Sequence, residues 1–239
     1  MRLLICAGGT GGGVYPALAV HSALTAKVRD LDTLWVGGEG GMEEFLVKRQ
    51  GITFQSIPAA GIHGVGLATM PRNLALIGRG ILAARRILKE FKPDVMFFTG
   101  GYVAVPVALA GRSIASMLYV PDIEPGMALK SLSGFADIIA VTTSQSQKFF
   151  KKKVFETGYP IRTDLALWDR STAHRHLGIS SDLPVLLIFG GSKGARSINT
   201  TVLNNLRELL AKFEIIHLSG ELDWTLVKHN REQLPLELA

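Results

Sequence analysis

The 239-residue chain is 47% hydrophobic and 19% charged, with a net charge of +6 and a single cysteine. This composition excludes a disulfide-rich scaffold, a cysteine-ligated zinc site and a disordered chain, and the length suits two modest α/β domains. The positive charge favours anionic partners such as nucleotides or an anionic membrane face, whereas nucleic acid is disfavoured because the chain has neither interleaved aromatics for base stacking nor a basic duplex-reading helix.

The first part of the chain alternates short apolar runs with helical patterns, which predicts a parallel sheet flanked by helices. The predicted strands are Leu3–Ala7, Leu34–Val36, Phe54–Ile57, Val95–Thr99, Met117–Val120 and Ile138–Val141. The predicted helices are Pro16–Ala26, Met42–Gln50, Arg72–Phe91, Val105–Arg112 and Met127–Phe135. Together they predict a complete doubly wound domain of α/β class.

A second βα series follows a more polar connection. The connection runs from Lys151–Lys153 to about Pro184 and is expected to contain a small helix. Beyond it we predict a strand at Val185–Phe189, a helix at Ser197–Phe213, a strand at Ile215–Leu218 and a helix around Trp224–Gln233. The second sheet is therefore expected to have few strands and an unpaired edge.

The N-terminal apolar run, Leu3–Ala7, is too short for the core of a signal peptide, and no run reaches the ~18 apolar residues of a membrane span. These features favour the cytoplasm. Cys6 lies within the first predicted strand, where a buried thiol that packs as a small hydrophobe is expected.

Glycine-rich loops follow three predicted strands and precede helices. Glycine lets the backbone approach a ligand closely, while the amide groups and the dipole of the following helix favour an anion. No register of these loops supplies the dinucleotide fingerprint or a P-loop, which disfavours dehydrogenases and NTPases. The loops are Gly8–Gly13, with Pro16 expected in the first turn of the helix; Thr99–Val103; and Gly190–Arg196, in which Ser192, Lys193 and Arg196 suit a phosphate group.

Several motifs in order along the chain resemble the MurG family of glycosyltransferases. They are Gly8–Gly12 with Pro16–Ala19, Gly100–Val103, Gly158 with Pro160 and Arg162-Thr163, Gly190–Ser192 with Gly194–Arg196 and Asn199, and His217 with Ser219-Gly220. The resemblance extends over nearly the whole chain, and several ordered motifs are more specific than any single glycine loop.

The resemblance implies a GT-B fold and an inverting transfer of N-acetylglucosamine from UDP-N-acetylglucosamine to the muramyl 4-hydroxyl of lipid I, which gives lipid II in peptidoglycan synthesis. It assigns residues 1–163 to an acceptor-side Rossmann-like domain and residues 164–239 to an incomplete donor-side domain, because the family's second domain continues further. No cofactor and no protein-bound metal are implied. The expected location is the cytoplasmic face of the bacterial membrane, as a peripheral protein.

The resemblance also assigns substrate-binding positions. Arg162, Gly191, Ser192 and Lys193 are expected on the donor side, where the diphosphate and sugar would bind. Thr10, Gly11, Gly12 and Tyr102 are expected to line the acceptor-side cleft.

The chain departs from the family pattern at several places. The histidine that usually ends the first loop is replaced by Gly13, so the general base is unknown, with Asp122 and Glu124 as the candidates considered. The family's His-Glu-Gln-Asn segment is Tyr119-Val120-Pro121-Asp122 here, Tyr159 replaces an asparagine, and Lys193 replaces a glutamine.

Other functions stay open at this point. One alternative is a family member without activity of its own that binds a lipid pyrophosphate or a protein partner. Another is a glycolipid synthase that uses a different acceptor. The helix at Arg72–Phe91 mixes leucines and isoleucines with arginines, which fits either an anionic membrane surface or a core-packed helix with a basic edge.

Overall fold

The computed structural model describes residues 1–9, 11–61, 69–179, 182–191 and 194–234, and it excludes the side chains of residues 163 and 164. Its contacts divide the chain into two compact units, Met1–Ala166 (unit 1) and Leu167–Ala239 (unit 2). The sequence predicts a boundary after residue 163, close to this division. The substrate assigned to each part stays a prediction.

Unit 1 is built on a parallel sheet that has seven strands within the described residues. The strand order is β3-β2-β1-β4-β5-β6-β7, so the direction in which the chain adds strands reverses between β1 and β4. The strands are β1 (Arg2–Ala7), β2 (Asp32–Gly38), β3 (Thr53–Ile57), β4 (Val95–Gly100), β5 (Ala115–Val120), β6 (Ile138–Val141) and β7 (Val154–Glu156).

Helices cover both faces of this sheet, because the strands carry apolar side chains on both sides. In β1, Leu4 and Cys6 belong to one core cluster, whereas Leu3, Ile5 and Ala7 belong to the other. The helices are α1 (Gly11–Thr25), α2 (Glu43–Arg49), α3 (Met70–Phe91), α4 (Ala104–Ala110) and α5 (Met127–Ser133), with 3-10 helices at Ser144–Phe149 and Thr163–Leu167.

The core on one face is formed with α3, α4 and α5, and the core on the other with α1 and α2. The first contains Ala84, Val107 and Leu132 from the helices, and the second contains Val14 and Val47. This packing of helices on both faces of the sheet confirms the predicted doubly wound α/β class.

Unit 2 contains two parallel strands within the described residues, β8 (Val185–Phe189) and β9 (Glu214–Leu218). A small helix precedes them, as the sequence predicts, and its cap Asp169 accepts a hydrogen bond from the N–H of Thr172 at 2.8 Å. The helices are α6 (Arg170–Leu177), α7 (Arg196–Asn204), α8 (Leu206–Leu210) and α9 (Trp224–Glu232), with a 3-10 helix at Glu221–Asp223.

Three details of the predicted elements are wrong. α1 begins at Gly11, so Pro16 lies inside the helix and not in its first turn. The single helix predicted at Ser197–Phe213 is interrupted at Asn205, whose side chain donates a hydrogen bond to the carbonyl of Thr201. β7 is absent from the prediction because it is short and only Val154 of its residues is buried.

The long helix α3 both packs on the core and presents apolar side chains to solvent. Ala84, Ile87 and Leu88 are buried, whereas Leu74 is 54% and Leu82 60% exposed. No helix among the described residues is long and apolar enough to cross a membrane.

Candidate active site

The first two glycine loops meet at the carboxyl ends of β1 and β4, where the strand order reverses. Gly101, with a φ of 86°, packs against the backbone of Gly8, and a Cβ at Gly101 would lie 2.7 Å from the Gly8 carbonyl oxygen. Thr99, which is buried, donates a hydrogen bond from Oγ1 to the carbonyl of Gly13 at 2.7 Å. Ligands of open α/β sheets bind at such a reversal point, so the loops form a candidate binding edge.

The first loop places the start of α1 at this edge. Gly11 and Gly12 are the first residues of the helix, and Gly12 is exposed. The early N–H groups of a helix have no intrahelical partner and carry a partial positive charge. These two positions therefore suit an anionic group such as a phosphate.

Gly13, the position at which the family has a histidine, is buried in the first turn of α1. A Cβ at this position would lie 3.4 Å from the carbonyl oxygen and 3.5 Å from Oγ1 of Thr99, which is ordinary van der Waals contact. The backbone therefore tolerates a Cβ, and the glycine is not imposed by lack of space at that atom.

Tyr102 extends from the second loop with half of its side chain exposed. Its ring packs against Gly61, where a Cβ would approach the ring to 2.7 Å, and Asn73 of α3 donates a hydrogen bond to the Gly61 carbonyl at 2.7 Å. The loop after β4, the segment after β3 and α3 are thus joined beside the candidate edge.

Two tyrosines, Tyr119 and Tyr159, lie near the carboxyl ends of β5 and β7. The Tyr119 hydroxyl lies 2.8 Å from Oγ1 of Thr142 and donates to the carbonyl of Gly158 at 3.2 Å. Tyr159 packs edge-on against Tyr119, with ring centroids 6.5 Å apart. Burial is the main factor that raises the pKa of both tyrosines, and the charge of Asp122 adds to it. Tyr119 and Tyr159, two of the departures from the family pattern, therefore contact each other and lie within the field of Asp122.

The two acids considered as the base occupy different environments. Asp122 is exposed and lies two residues after β5, and its charge raises the pKa of both tyrosines. Glu124 is also exposed, and its carboxylate pairs with Nζ of Lys130 at 3.4 Å. Arg162 lies in the exposed segment before the 3-10 helix at Thr163–Leu167.

In unit 2, the third glycine loop follows β8 and leads into α7. Gly194 packs so closely on the carbonyl of Ser219 that a Cβ would clash with it. Arg196, the first residue of α7, donates from Nε and Nη2 to Oδ1 of Asp223 at 3.0 and 2.9 Å, yet its side chain is 77% exposed. The guanidinium is therefore held in one orientation while it remains accessible to an anion.

Asn199 connects this loop to the end of β9. Its buried amide donates to the carbonyl of Ser219 at 2.8 Å and to Oδ2 of Asp223 at 3.0 Å. The amide oxygen consequently faces Nε2 of His217 at 2.9 Å, so this nitrogen carries the proton. Hydrogen bonds, first from Asn199 and then from Arg196, lower the pKa of Asp223, whereas burial lowers that of His217.

Three of the predicted site residues, Thr10, Ser192 and Lys193, lie outside the described residues. The structure brings Gly11, Gly12 and Tyr102 to the edge of unit 1, and it places Gly191 in the exposed loop of unit 2. In the described part of the chain, no group of three or more histidine, cysteine or acidic residues is arranged to hold a metal ion.

Sequence reasoning overlooked two features of these loops. One is Asp223, whose partners Arg196 and Asn199 lie in a different segment. The other is Glu43, a buried acid beside the first loop, whose carboxylate accepts hydrogen bonds from Gly9 and Gly38. The only available signal for Glu43 was the glycine-rich segment Gly37–Gly41 before it, which is compatible with an ordinary turn.

Comparison with known proteins identifies the family. Residues 3–141 match the glycosyltransferase family 28 N-terminal domain. The UDP-N-acetylglucosamine–N-acetylmuramyl-(pentapeptide) pyrophosphoryl-undecaprenol N-acetylglucosamine transferase of Roseiflexus sp. (strain RS-1) is 38% identical, in an alignment that covers 100% of this chain and 64% of that protein. The transferase of the same name from Caldanaerobacter subterraneus subsp. tengcongensis is 35% identical, with 99% of this chain and 67% of that protein covered.

The fold agrees with this relationship. The crystal structure of MurG from Acinetobacter baumannii superimposes with a TM-score of 0.68 at 25% identity, over 98% of this chain and 65% of that one. The chain thus spans about two thirds of the length of these relatives. The parallel-sheet architecture is that of the GT-B glycosyltransferases, and the chain belongs to the MurG family within glycosyltransferase family 28.

Proposed function

We propose that the protein is a glycosyltransferase that moves N-acetylglucosamine from UDP-N-acetylglucosamine to lipid I and forms lipid II for peptidoglycan synthesis, and so for cell shape and division. The observation that carries the proposal is the placement of glycine loops at the carboxyl ends of strands in both units, in a chain 38% identical to a transferase of that name. Such loops suit phosphate groups, and both substrates contain a diphosphate.

In this proposal the glycine loops of unit 1 bind the acceptor, and the glycine loop of unit 2 binds the donor. Unit 1 binds the undecaprenyl-pyrophosphate acceptor at Thr10, Gly11, Gly12 and Tyr102. Unit 2 binds the UDP-sugar with Gly191, Ser192 and Lys193, and Arg162 also serves the donor. The guanidinium of Arg196 supports a diphosphate site, because Asp223 fixes its orientation while the side chain stays exposed to a ligand. An anion that binds to it would cause little further loss of side-chain entropy.

The chemistry is an inverting displacement at the anomeric carbon. A base accepts the proton of the muramyl 4-hydroxyl as its oxygen attacks, the bond to UDP breaks on the opposite face, and cations and N–H groups stabilise the departing diphosphate. Since Gly13 supplies no imidazole, we propose Asp122 as the base. Both acids are exposed, but the carboxylate of Glu124 is paired with Lys130, which supports the choice of Asp122.

Asp122→Asn should lower kcat by roughly 10²–10⁴-fold with little change in either KM, because the amide cannot accept the proton. Steady-state kinetics measure this effect, and Glu124→Gln is the matched control, which should retain kcat. An unchanged kcat for Asp122→Asn would exclude Asp122 as the base.

The acceptor would be reached at the cytoplasmic face of the membrane, with the protein bound peripherally. The exposed Leu74 and Leu82 of α3 lie on a helix that also carries the exposed arginines Arg79, Arg85 and Arg86. Apolar side chains among cations suit the headgroup region of an anionic bilayer.

A second candidate function is a lipid-pyrophosphate or partner binding module without transfer. Gly13 favours it, because the chain lacks the imidazole found at this position in the family. The edge of unit 1 would then retain its anion-binding backbone without the chemistry.

The deciding experiment is transfer of labelled N-acetylglucosamine from UDP-N-acetylglucosamine to a lipid I analogue by the purified chain. The expected result is a labelled lipid product that is lost in the Ser192→Ala/Arg162→Ala double variant. Binding of the lipid I analogue without labelled product, by protein shown to be folded, would reject the transferase and support the binding module. Absence of both binding and product would reject both functions.

A further inference from the structure

One buried acid in unit 1 has no role in the chemistry proposed above. Glu43, the first residue of α2, is 1% exposed. Its Oε1 accepts a hydrogen bond from the N–H of Gly38 at 2.9 Å, and its Oε2 accepts one from the N–H of Gly9 at 3.3 Å. The carboxylate therefore joins the loop after β2 to the first glycine loop, and the start of a helix is a favourable place for its charge.

Glycines make the space that this carboxylate occupies. A Cβ at Gly8 or at Gly41 would clash with the carboxylate of Glu43, and a Cβ at Gly37 would lie 3.0 Å from its Cγ. A carboxylate that loses its water must find polar partners within the protein, or its burial is costly. The packing therefore ties the position of Glu43 to the conformation at Gly8-Gly9, in the loop that precedes α1.

We propose that Glu43 is a positioning residue for the acceptor. By holding the N–H of Gly9, it fixes the turn that leads into α1, so that the N–H groups at Gly11 and Gly12 are directed at the pyrophosphate of the lipid. The identity of this ligand rests on the proposed function. The donor is unaffected, because the hydrogen bonds and close glycine contacts of Glu43 all lie in unit 1.

Glu43→Gln separates the two hydrogen bonds of the carboxylate. A glutamine has one accepting oxygen, so its amide group must face one of the two N–H donors. The oxygen is expected to keep the shorter bond, to Gly38, and the amide to face Gly9. The turn before α1 is thereby released while the loop after β2 stays held.

The first measurement is amide hydrogen exchange in the ligand-free protein, with Glu44→Gln as the matched control. Glu44 is the next residue, and its side chain is 41% exposed and forms an i,i+4 pair with Lys48. Exchange at Gly9 should accelerate about tenfold in Glu43→Gln, with Gly38 unchanged and Glu44→Gln like the wild type. Unchanged exchange at Gly9 would overturn the proposal.

The second measurement compares the two substrates in steady-state kinetics. Glu43→Gln should raise the KM for the lipid I analogue about tenfold and leave the KM for UDP-N-acetylglucosamine within about twofold. A rise in both KM values, or in neither, would contradict a role in positioning the acceptor.

Gly41→Ala provides a second variant if Glu43→Gln does not fold. Its added methyl group would displace the carboxylate from outside the acceptor loop, and the same selective rise in acceptor KM is expected. If the wild type transfers no sugar, the proposed function fails. Equilibrium binding of the lipid I analogue then replaces KM, and equal affinity of wild type and Glu43→Gln would reject the role of Glu43 separately.

Discussion

At the scale of single residues, Gly9 and Gly101 share a φ of 86° but differ in their surroundings. A Cβ at Gly9 meets nothing within 4 Å, whereas one at Gly101 would lie 2.7 Å from the backbone oxygen of Gly8. Gly9→Ala should therefore cost only the strain of a left-handed alanine, about 1–2 kcal/mol of unfolding free energy. Gly101→Ala should cost about 1–3 kcal/mol more, because a backbone atom must move.

Urea unfolding of the two variants measures the difference, since both carry the same substitution at the same φ. Because the first two glycine loops pack closely at Gly101, Gly101→Ala should lower the free energy of unfolding more than Gly9→Ala does. Equal losses would contradict that packing.

His217 provides a residue-scale prediction on pH. Burial lowers its pKa below the ordinary 6.5, so the unfolded chain takes up a proton at a higher pH than the folded chain does. The free energy of unfolding of unit 2 should therefore fall as the pH drops below about 6.5. Urea unfolding at several pH values, followed through NMR signals of β9, measures this dependence.

The control for this prediction is His21 in unit 1, whose pKa burial also lowers. His217→Asn should weaken the pH dependence for signals from β9, and His21→Asn should do so only for signals from unit 1. A pH dependence of β9 that persists unchanged in His217→Asn would show that another group causes it.

The sequence predicted the positions of the glycine loops, but not the hydrogen bonds and packing contacts that fix their residues. Glycine runs after apolar strands are a local signal, so the loops at Gly8 and Gly190 were found. The position of Glu43 depends on Gly8 and Gly9 of another loop, and the partners of Asp223 lie in a distant segment. The glycines just before Glu43 were a local signal, but one compatible with an ordinary turn, and Asp223 has no such signal.

At the scale of elements, α3 carries the prediction on membrane binding. Leu74→Glu/Leu82→Glu should reduce binding to phosphatidylglycerol vesicles by at least about tenfold, because two charges replace apolar side chains at an anionic surface. Folding should be retained, since these leucines are 54% and 60% exposed. Co-sedimentation with vesicles measures the binding.

Phe45→Glu on α2 is the matched control, as Phe45 is also apolar and 71% exposed. This variant should bind vesicles like the wild type. An equal loss in Phe45→Glu, or no loss in the α3 variant, would contradict a specific role for α3.

Element prediction succeeded where apolar periodicity is strong. All six strands predicted in unit 1 are present, and all but β3 are apolar runs largely buried in the sheet. Two of the errors lie where a specific hydrogen bond accompanies a departure from the pattern. The side chain of Asn205 donates a hydrogen bond to Thr201 where the predicted helix is interrupted. Thr99 donates a hydrogen bond to Gly13 in the first turn of α1, which starts at Gly11 and not at Pro16 as its pattern of apolar residues predicts.

At the scale of the whole molecule, we propose that the glycine loops of unit 1 bind the acceptor and that the glycine loop of unit 2 binds the donor. Two separate binding sites are supported by glycine loops that follow strands of separate sheets: Gly8 and Gly101 in unit 1, and Gly194 with Arg196 in unit 2. Sequence alone predicted two domains, since the strand and helix patterns begin again at Val185. The assignment of acceptor and donor came from the family resemblance.

Equilibrium binding of both substrates to two variants tests this division most directly. Arg196→Ala should weaken UDP-N-acetylglucosamine binding about tenfold or more, because a charge-assisted contact to the diphosphate is lost, and should leave binding of the lipid I analogue unchanged. Gly101→Ala should have the opposite effect, in protein shown to be folded. If both variants weaken the same substrate, or each weakens both, the assignment of acceptor to unit 1 and donor to unit 2 is wrong.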